Sequence, residues 1–324
     1  MNTWKLSTGT AALLAGKKLK GNAPPTTAYI MVGEKCRNNC RFCAQARESG
    51  AAANMLSRVT WPTAAADEAA HGIAAAHADG SLKRACLQVV GSADGPVAAA
   101  GAIKAIRQAG AVPVCVSSHI ERVEEAAALV AAGAQRVCLA LDAATPAVYT
   151  AVKEGDWWER WRLLTACAAA LPGRITTHLI VGLGESEEEM VDTIAACLSR
   201  GITVGLFAFT PVRGTAFADR PPPPLAAYRR LQAAHHLLRL GYDRAVIRCR
   251  DGRIIAFDLP DAAGLLADGQ AFRTSGCPDC NRPYYNERPG GVMYNYPRPL
   301  TAAEAAAAIA DCGIIEVNAQ CSGG

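Results

Sequence analysis

The sequence predicts an α/β protein folded as a complete or partial TIM-like (β/α) barrel, followed by a cysteine-bearing C-terminal extension. Three observations carry this reading. Between residues 27 and 260, short β-branched or apolar runs alternate with alanine-rich helical stretches, the pattern of parallel strands joined by crossover helices. Six or seven such units in about 230 residues suit a barrel better than a doubly wound sheet. The first strand is followed by a cysteine loop, not by a glycine-rich phosphate loop.

Residues 1–26 read as a lead-in that ends in Pro24-Pro25, a stop before the first strand. Strands are expected at 28–32, 85–90, 112–116, 136–141, 176–181, 203–209 and 245–249. Helices are expected at 64–78, 97–108, 120–132, 158–171, 186–199 and 225–240, with Gly110 and Gly133 as stops. The proline run 221–224 reads as a stiff surface spacer. After Pro260 the composition turns to Gly, Pro, Tyr and Asn, and a helix follows near 302–310. Residues 27–260 are therefore the expected barrel. Residues 261–324 are an extension expected to cover the barrel mouth at the C-terminal ends of the strands, where such barrels keep their chemistry.

The chain has 324 residues, 51% of them hydrophobic and 19% charged, with a net charge of +4. The only short basic run is Lys17-Lys18-Leu19-Lys20, so no nucleic-acid partner is implied. No apolar run reaches the roughly 18–20 residues that span a membrane. The N-terminus lacks the zones of an export signal, so a cytoplasmic location is the expectation. Thirteen cysteines in a chain of this length point to reduced thiols and metal ligation, with some as small core residues.

Cys36, Cys40 and Cys43 stand at spacing C-x3-C-x2-C directly after the first strand. Three thiolates on one loop can hold three irons of a four-iron, four-sulfur cluster and leave the fourth iron open for chemistry. A structural zinc site or a redox thiol cluster is the competing reading of the same spacing. With Phe42 before the last cysteine, this loop resembles that of the radical S-adenosylmethionine (SAM) superfamily, over roughly residues 27–260. The resemblance implies a radical SAM barrel with a [4Fe-4S] cluster whose open iron binds S-adenosyl-L-methionine. It also implies cleavage of that cofactor to a 5′-deoxyadenosyl radical, and an electron donor such as ferredoxin or flavodoxin. Residues 139–146 resemble the fourth-strand motif of biotin-synthase-type members, which makes Asp142 the candidate ribose ligand; a helix N-cap is its other reading. Residues 180–185 resemble the fifth-strand motif that packs on adenine, which brings in Ile180, Gly182 and Glu185, although Glu185 can equally cap the next helix. Gly91 and Ser92 stand where relatives contact the methionine amino group.

Biotin-synthase-related proteins are the nearest resemblance. Biotin synthase holds a second cluster with cysteines on strands 2, 3 and 5 and a late-strand arginine. Here Cys86 and Cys115 match the first two positions, Thr176 stands at the third, and Arg248 is a weak match for the arginine. Cys86 and Cys115 are accordingly read as core or pocket lining. The C-x2-C pair Cys277 and Cys280 offers a substitute, with Cys312 and Cys321 downstream to complete a ligand set and Ser322 as a further candidate; a zinc knuckle is the alternative. Together with residues 25–29 and 56–62, this block resembles the two-protein lipoyl synthases of archaea and some bacteria. That resemblance implies sulfur insertion into an octanoyl chain on a lipoyl-carrier protein or peptide, with Cys277 and Cys280 holding a sacrificial auxiliary [4Fe-4S] cluster. It also implies a second radical SAM component as partner. Biotin synthase, another carbon-skeleton radical enzyme and a non-catalytic iron–sulfur scaffold are the alternatives.

The remaining singled-out residues divide between packing and site. Cys138, Cys167, Cys197, Trp157, Trp158 and Trp161 read as packing. His178 and His119 are candidates for the barrel interior and its mouth. Arg282 and Arg288 read as solvated surface or as contacts for an acidic carrier protein.

Overall fold

A computed structural model describes residues 2–17, 21, 23–283, 285–287 and 290–315. Cys321, Ser322 and Arg288 lie outside the described residues.

The elements run in chain order as follows. First come β1 (Thr3–Leu6), α1 (Thr8–Leu14), β2 (Thr27–Val32), β3 (Met55–Leu56), β4 (Val59–Thr60), β5 (Thr63–Ala65) and α2 (Ala66–Ala78). Then follow β6 (Arg84–Val89), α3 (Gly95–Ala109), β7 (Val114–Ser117), α4 (Val123–Ala131), β8 (Ala134–Cys138), α5 (Pro146–Val152) and α6 (Trp157–Ala170). The last group is β9 (Ile175–Val181), α7 (Glu187–Leu198), β10 (Thr203–Ala208), α8 (Leu225–Arg239), β11 (Ile247–Arg250), β12 (Arg253–Phe257), α9 (Ala262–Leu266) and α10 (Ala302–Ala310). The main sheet has the order β10-β9-β8-β7-β6-β2-β1-β5. From β2 to β10 the pairings are parallel, and β1 adds antiparallel to both β2 and β5.

This is the expected barrel in partial form: among the described residues β10 pairs only with β9, so the sheet stays open on one flank. The lead-in is part of the sheet rather than a preface to it. The expected seventh barrel strand at 245–249 is instead β11, which pairs antiparallel with β12 away from the barrel.

Alternation along the strands sorts residues between two layers. Outward side chains such as Ile30, Leu87 and Val116 pack under the helices in one large core. Inward ones share a register across the sheet. Tyr29 stands beside Cys86 and Cys86 beside Cys115, while His178 stands beside Gly205 and Ile180 beside Phe207.

Residues 275–283 and 285–287 fill the open flank. Ser275 Oγ accepts from Leu206 N of β10 (2.9 Å), and Asn286 Nδ2 donates to Ala208 O (2.8 Å). On the opposite side Asn281 Oδ1 accepts from Thr26 N (3.0 Å), just before β2, and Tyr29 OH accepts from Arg282 N (2.9 Å). The extension thus works as a wedge between the two ends of the parallel sheet. No helix among the described residues is long and apolar enough to cross a membrane.

Buried histidines make stability depend on pH, and His235 is the clearest case. His235 on α8 is 3% exposed, and its Nε2 has no partner among the described residues. Burial, then the nearby charges of Arg239 and His236, push its pKa down to about 3. The unfolded chain takes up a proton near pH 6.5 that the folded chain refuses. Stability is therefore full above that pH and falls as pH drops toward the folded value. The loss is about 1.4 kcal/mol per pH unit, or about 2 kcal/mol by pH 5. Urea midpoints at pH 7 and pH 5 should show this loss in the native chain, and a smaller one in His235→Gln.

Candidate active site

The cysteine loop leaves β2 at Gly33, whose φ of +90° lets the chain turn sharply. Backbone bonds pin it on both sides: Arg37 N donates to Gly91 O (2.8 Å) after β6, and Arg41 N to Val152 O (2.9 Å) at the end of α5. Glu154 accepts from Asn39 N (3.2 Å) and pairs with Arg47 (2.8 Å). Cys36, Cys40 and Cys43 are free thiols that share this loop and act electrostatically on one another. Burial raises Cys40 to about 11 against the opposing Lys153 charge; burial and then Cys40 raise Cys43 to about 12. Without a metal Cys40 and Cys43 stay protonated at neutral pH.

The three cysteines line one cavity of ≈ 200 Å³ at the C-terminal ends of β2, β6, β7 and β8. Phe42, Gly91, His119, Asp142, Lys153 and Arg160 share its wall. Among the described residues, no three Cys, His, Asp or Glu side chains converge as one metal ion requires. A four-iron cluster is larger and needs its thiolates spread around it. Gly91 leaves room for such a group, since a Cβ there would lie 3.2 Å from Cys36 Sγ and 2.9 Å from Asn38 Nδ2. The donor set and the space fit a cluster with an open iron. Gly91→Val should cut iron bound at this loop by more than half, read as iron per chain after anaerobic reconstitution, with unchanged far-UV circular dichroism.

The other candidates of this region are placed as follows. Asp142 has a φ of +65° and holds Lys153 Nζ at 2.7 Å, both partners being largely buried. It does not cap the following helix, because Thr145 Oγ1 accepts the Val148 N–H there. Ser92 braces the loop, its Oγ donating to the Asp94 carboxylate (2.5 Å) and accepting from Glu34 N (3.3 Å). The Glu185 carboxylate accepts from Gly182 N (2.6 Å) and Leu183 N (3.0 Å), so it stiffens its own turn while Ser186 caps α7. Gly182, with φ +100°, lies under Pro223. Ile180 faces the barrel interior.

That interior is a second cavity, of ≈ 190 Å³, which meets the first at Phe42, Cys43, Leu56 and Gln88. Ile180, Phe207, Phe209 and Val212 give it apolar walls. At its far end stand Cys277 and Cys280, and also Cys86 and Cys115. The position of the pair corrects the expectation. The 277–280 loop lies by Thr26, Thr27 and Arg84, at the N-terminal ends of β2 and β6 and opposite the cysteine loop.

Cys312 does not join Cys277 and Cys280. It is fully buried outside the barrel, its thiol donates to Ala308 O (3.6 Å), and Arg229, Arg230 and Asp311 surround it. Arg282 is no surface residue either. It is 9% exposed, its guanidinium lies 3.7 Å from the Phe207 ring centroid, and its Nη2 donates to Ser275 O (2.9 Å). Arg248 pairs with Asp258 (3.0 Å) on the surface. His178 lines the barrel, and burial followed by the Arg282 charge pushes its pKa down to about 4, so it is neutral at pH 7. Trp157 and Trp161 stack at 5.4 Å as packing.

Sequence reasoning missed Lys153 and Arg160 in the first cavity and Arg84 in the second. Arg84 carried a signal, being a charged residue at the head of an otherwise apolar strand.

Comparisons with known proteins agree with this geometry. The family model described as the Radical SAM superfamily matches residues 30–197. A GTP 3′,8-cyclase of Gloeobacter violaceus (strain ATCC 29082 / PCC 7421) is 24% identical over 176 residues. That match covers 53% of each protein, so the chain spans about half the length of this curated relative. Among solved structures, HydG, a maturase of the [FeFe]-hydrogenase, aligns with a TM-score of 0.53 at 15% identity, covering 64% of this chain and 48% of HydG. HydG from Carboxydothermus hydrogenoformans aligns with a TM-score of 0.52 at 18% identity, covering 67% and 52%.

Proposed function

The chain belongs to the radical SAM superfamily, and from that membership we propose that it is a sulfur-inserting enzyme of the lipoyl-synthase kind. One observation carries the reading: a continuous apolar-walled cavity runs from Cys43 at the radical end to Cys277 and Cys280 at the other. A substrate held between them has a hydrogen-abstracting group on one side and a thiolate-held sulfur source on the other.

In this reading Cys36, Cys40 and Cys43 hold the [4Fe-4S] cluster, and Asp142, Lys153 and Arg160 offer polar contacts for S-adenosyl-L-methionine beside it. Bound there, the pair supplies a 5′-deoxyadenosyl radical that removes a hydrogen atom from an unactivated C–H bond. Cys277 and Cys280 would hold an auxiliary cluster, which would supply the sulfur. The protein's own work is placement and exclusion of water. Ile180, Phe207, Phe209 and Val212 offer an aliphatic chain a dry wall, and neutral His178 brings no charge to it. The proposed substrate is an octanoyl chain on the lysine of a carrier protein or peptide, with a second radical SAM component as partner and a ferredoxin or flavodoxin as electron donor.

The test is product analysis. Reconstituted protein with dithionite and S-adenosyl-L-methionine should convert an octanoylated lysine peptide to a thiolated product, by mass spectrometry, and leave dethiobiotin unchanged. Thiolation of dethiobiotin alone sinks the octanoyl reading and favours biotin-synthase chemistry. Abundant 5′-deoxyadenosine with no sulfur in any product sinks sulfur insertion itself.

A further inference from the structure

We propose that Cys86, Cys115, Cys277 and Cys280 together form one four-thiolate site for an iron–sulfur cluster inside the barrel. This deepens the reading above and rests on it only for the use of the sulfur; the site itself rests on geometry. Cys86 and Cys115 are neighbours in register on β6 and β7, both turned inward. Cys277 and Cys280 come from the wedge, 160 or more residues later in the chain, and line the same cavity. The Cys277 and Cys115 thiols are in hydrogen-bond contact, and Cys280 and Cys277 both act electrostatically on Cys86.

The surroundings are those of a cluster rather than of four core cysteines. Three of the sulfurs have a polar group aimed at them: Gln88 Nε2 at Cys86 (3.0 Å), Arg84 Nη1 at Cys115 (2.9 Å) and Tyr29 OH at Cys280 (3.3 Å). Hydrogen bonds to sulfur set the stability and potential of thiolate-held clusters. Arg84 is 4% exposed, and its Nε is buried with no partner among the described residues. Arg84 Nη2 faces the exposed Asp279 carboxylate at 3.8 Å and its Nη1 also reaches Gln135 Oε1 (3.1 Å), and a negatively charged cluster at Cys115 would give the buried guanidinium a second partner. Each Fe–S bond forms as one thiol gives up its proton, so four protons leave for solvent on assembly. Cys277 also lines a groove open on the N-terminal face of the barrel, with Lys83 and Arg273, which gives iron and sulfide a way in.

The test removes the first cluster to see the second. The full chain carrying Cys36→Ala, Cys40→Ala and Cys43→Ala is reconstituted anaerobically with iron and sulfide. Expected is one remaining cluster with equal iron and sulfide, visible by Mössbauer spectroscopy. Adding Cys86→Ala or Cys115→Ala should lower the iron at least twofold, as should Cys277→Ala or Cys280→Ala. The core substitution Cys197→Ala should leave it unchanged. Serine replacements, checked by circular dichroism, separate ligand loss from misfolding, because a serine variant keeps the fold and shifts the cluster spectrum. No iron in the triple variant, bound zinc alone, or a Cys115–Cys277 disulfide in its place overturns the site. Full iron after Cys86→Ala and Cys115→Ala overturns this ligand set while leaving a cluster on Cys277 and Cys280. If all four thiols are needed but isotope-labelled cluster sulfide never reaches product, the site stands and the sulfur-donor reading falls.

Discussion

Replacing Cys36, Cys40 and Cys43 with alanine is expected to lower 5′-deoxyadenosine formation by on the order of a thousandfold or more, about 4 kcal/mol of barrier at least. The reason lies in the division of labour at the loop. These thiols are half-buried around the first cavity and contribute nothing to the large helix-covered core. The loop is pinned by its backbone, through Gly91 O and Val152 O, and those bonds survive the substitutions. The fold should therefore persist, with the urea midpoint nearly unchanged, while the radical chemistry disappears. Chromatographic assay of deoxyadenosine under dithionite decides it. Undiminished formation in the triple variant would place the chemistry elsewhere in the chain.

The second large effect is expected at Arg282, and it concerns stability. Its guanidinium lies over Phe207 at 3.7 Å, donates to Ser275 O (2.9 Å) and reaches Leu206 O (3.4 Å), while its own N–H meets Tyr29 OH. One side chain thus ties the wedge to β10 and its backbone ties the wedge to β2. Arg282→Leu removes the stacking cation and leaves Ser275 O without this donor, while Leu206 O keeps Tyr228 OH (3.2 Å), a loss of about 2–4 kcal/mol. Arg282→Lys keeps the charge but not the planar fork, so an intermediate loss is expected. Urea titration measures both. Faster proteolytic cutting within 275–287 should accompany the loss, and equal midpoints in all three proteins would show that the wedge is held by other contacts.

The parts of this fold that were legible in the sequence are those with a period. β2 is buried on both faces and reads as a near-continuous apolar run, and β6 and β9 are short β-branched or apolar stretches between helices. β1 was not legible because four residues, one of them a lysine, leave no pattern to read. The strand placed at 245–249 was given to the barrel, although Asp251-Gly252, both at positive φ, is the usual mark of a tight hairpin and pairs β11 with β12. The site divides in the same way. Cys36, Cys40 and Cys43 are local, so spacing alone revealed them. Cys86 and Cys115 looked like core because nothing in one dimension shows that two adjacent strands and a distant loop aim their thiols at one place. Cys312 looked like a ligand because it follows Cys277 and Cys280 in sequence, but α10 carries it to the outer face.

The wedge has a consequence in time. The chain is made from its N-terminus, and more than 150 residues separate Cys115 from Cys277. At about 5–20 residues per second, the barrel strands wait roughly 10–30 s on the ribosome before the residues that close their open flank exist. By the end of that interval β10 and the Val152 carbonyl that pins the cysteine loop have been made, while the wedge that lines the cavity with Cys86 and Cys115 has not. The two ends of the cavity therefore mature in sequence, the radical end first. Nascent chains stalled just before residue 275 should react with a thiol-labelling reagent at Cys86 and Cys115, and chains released after residue 300 should be protected there.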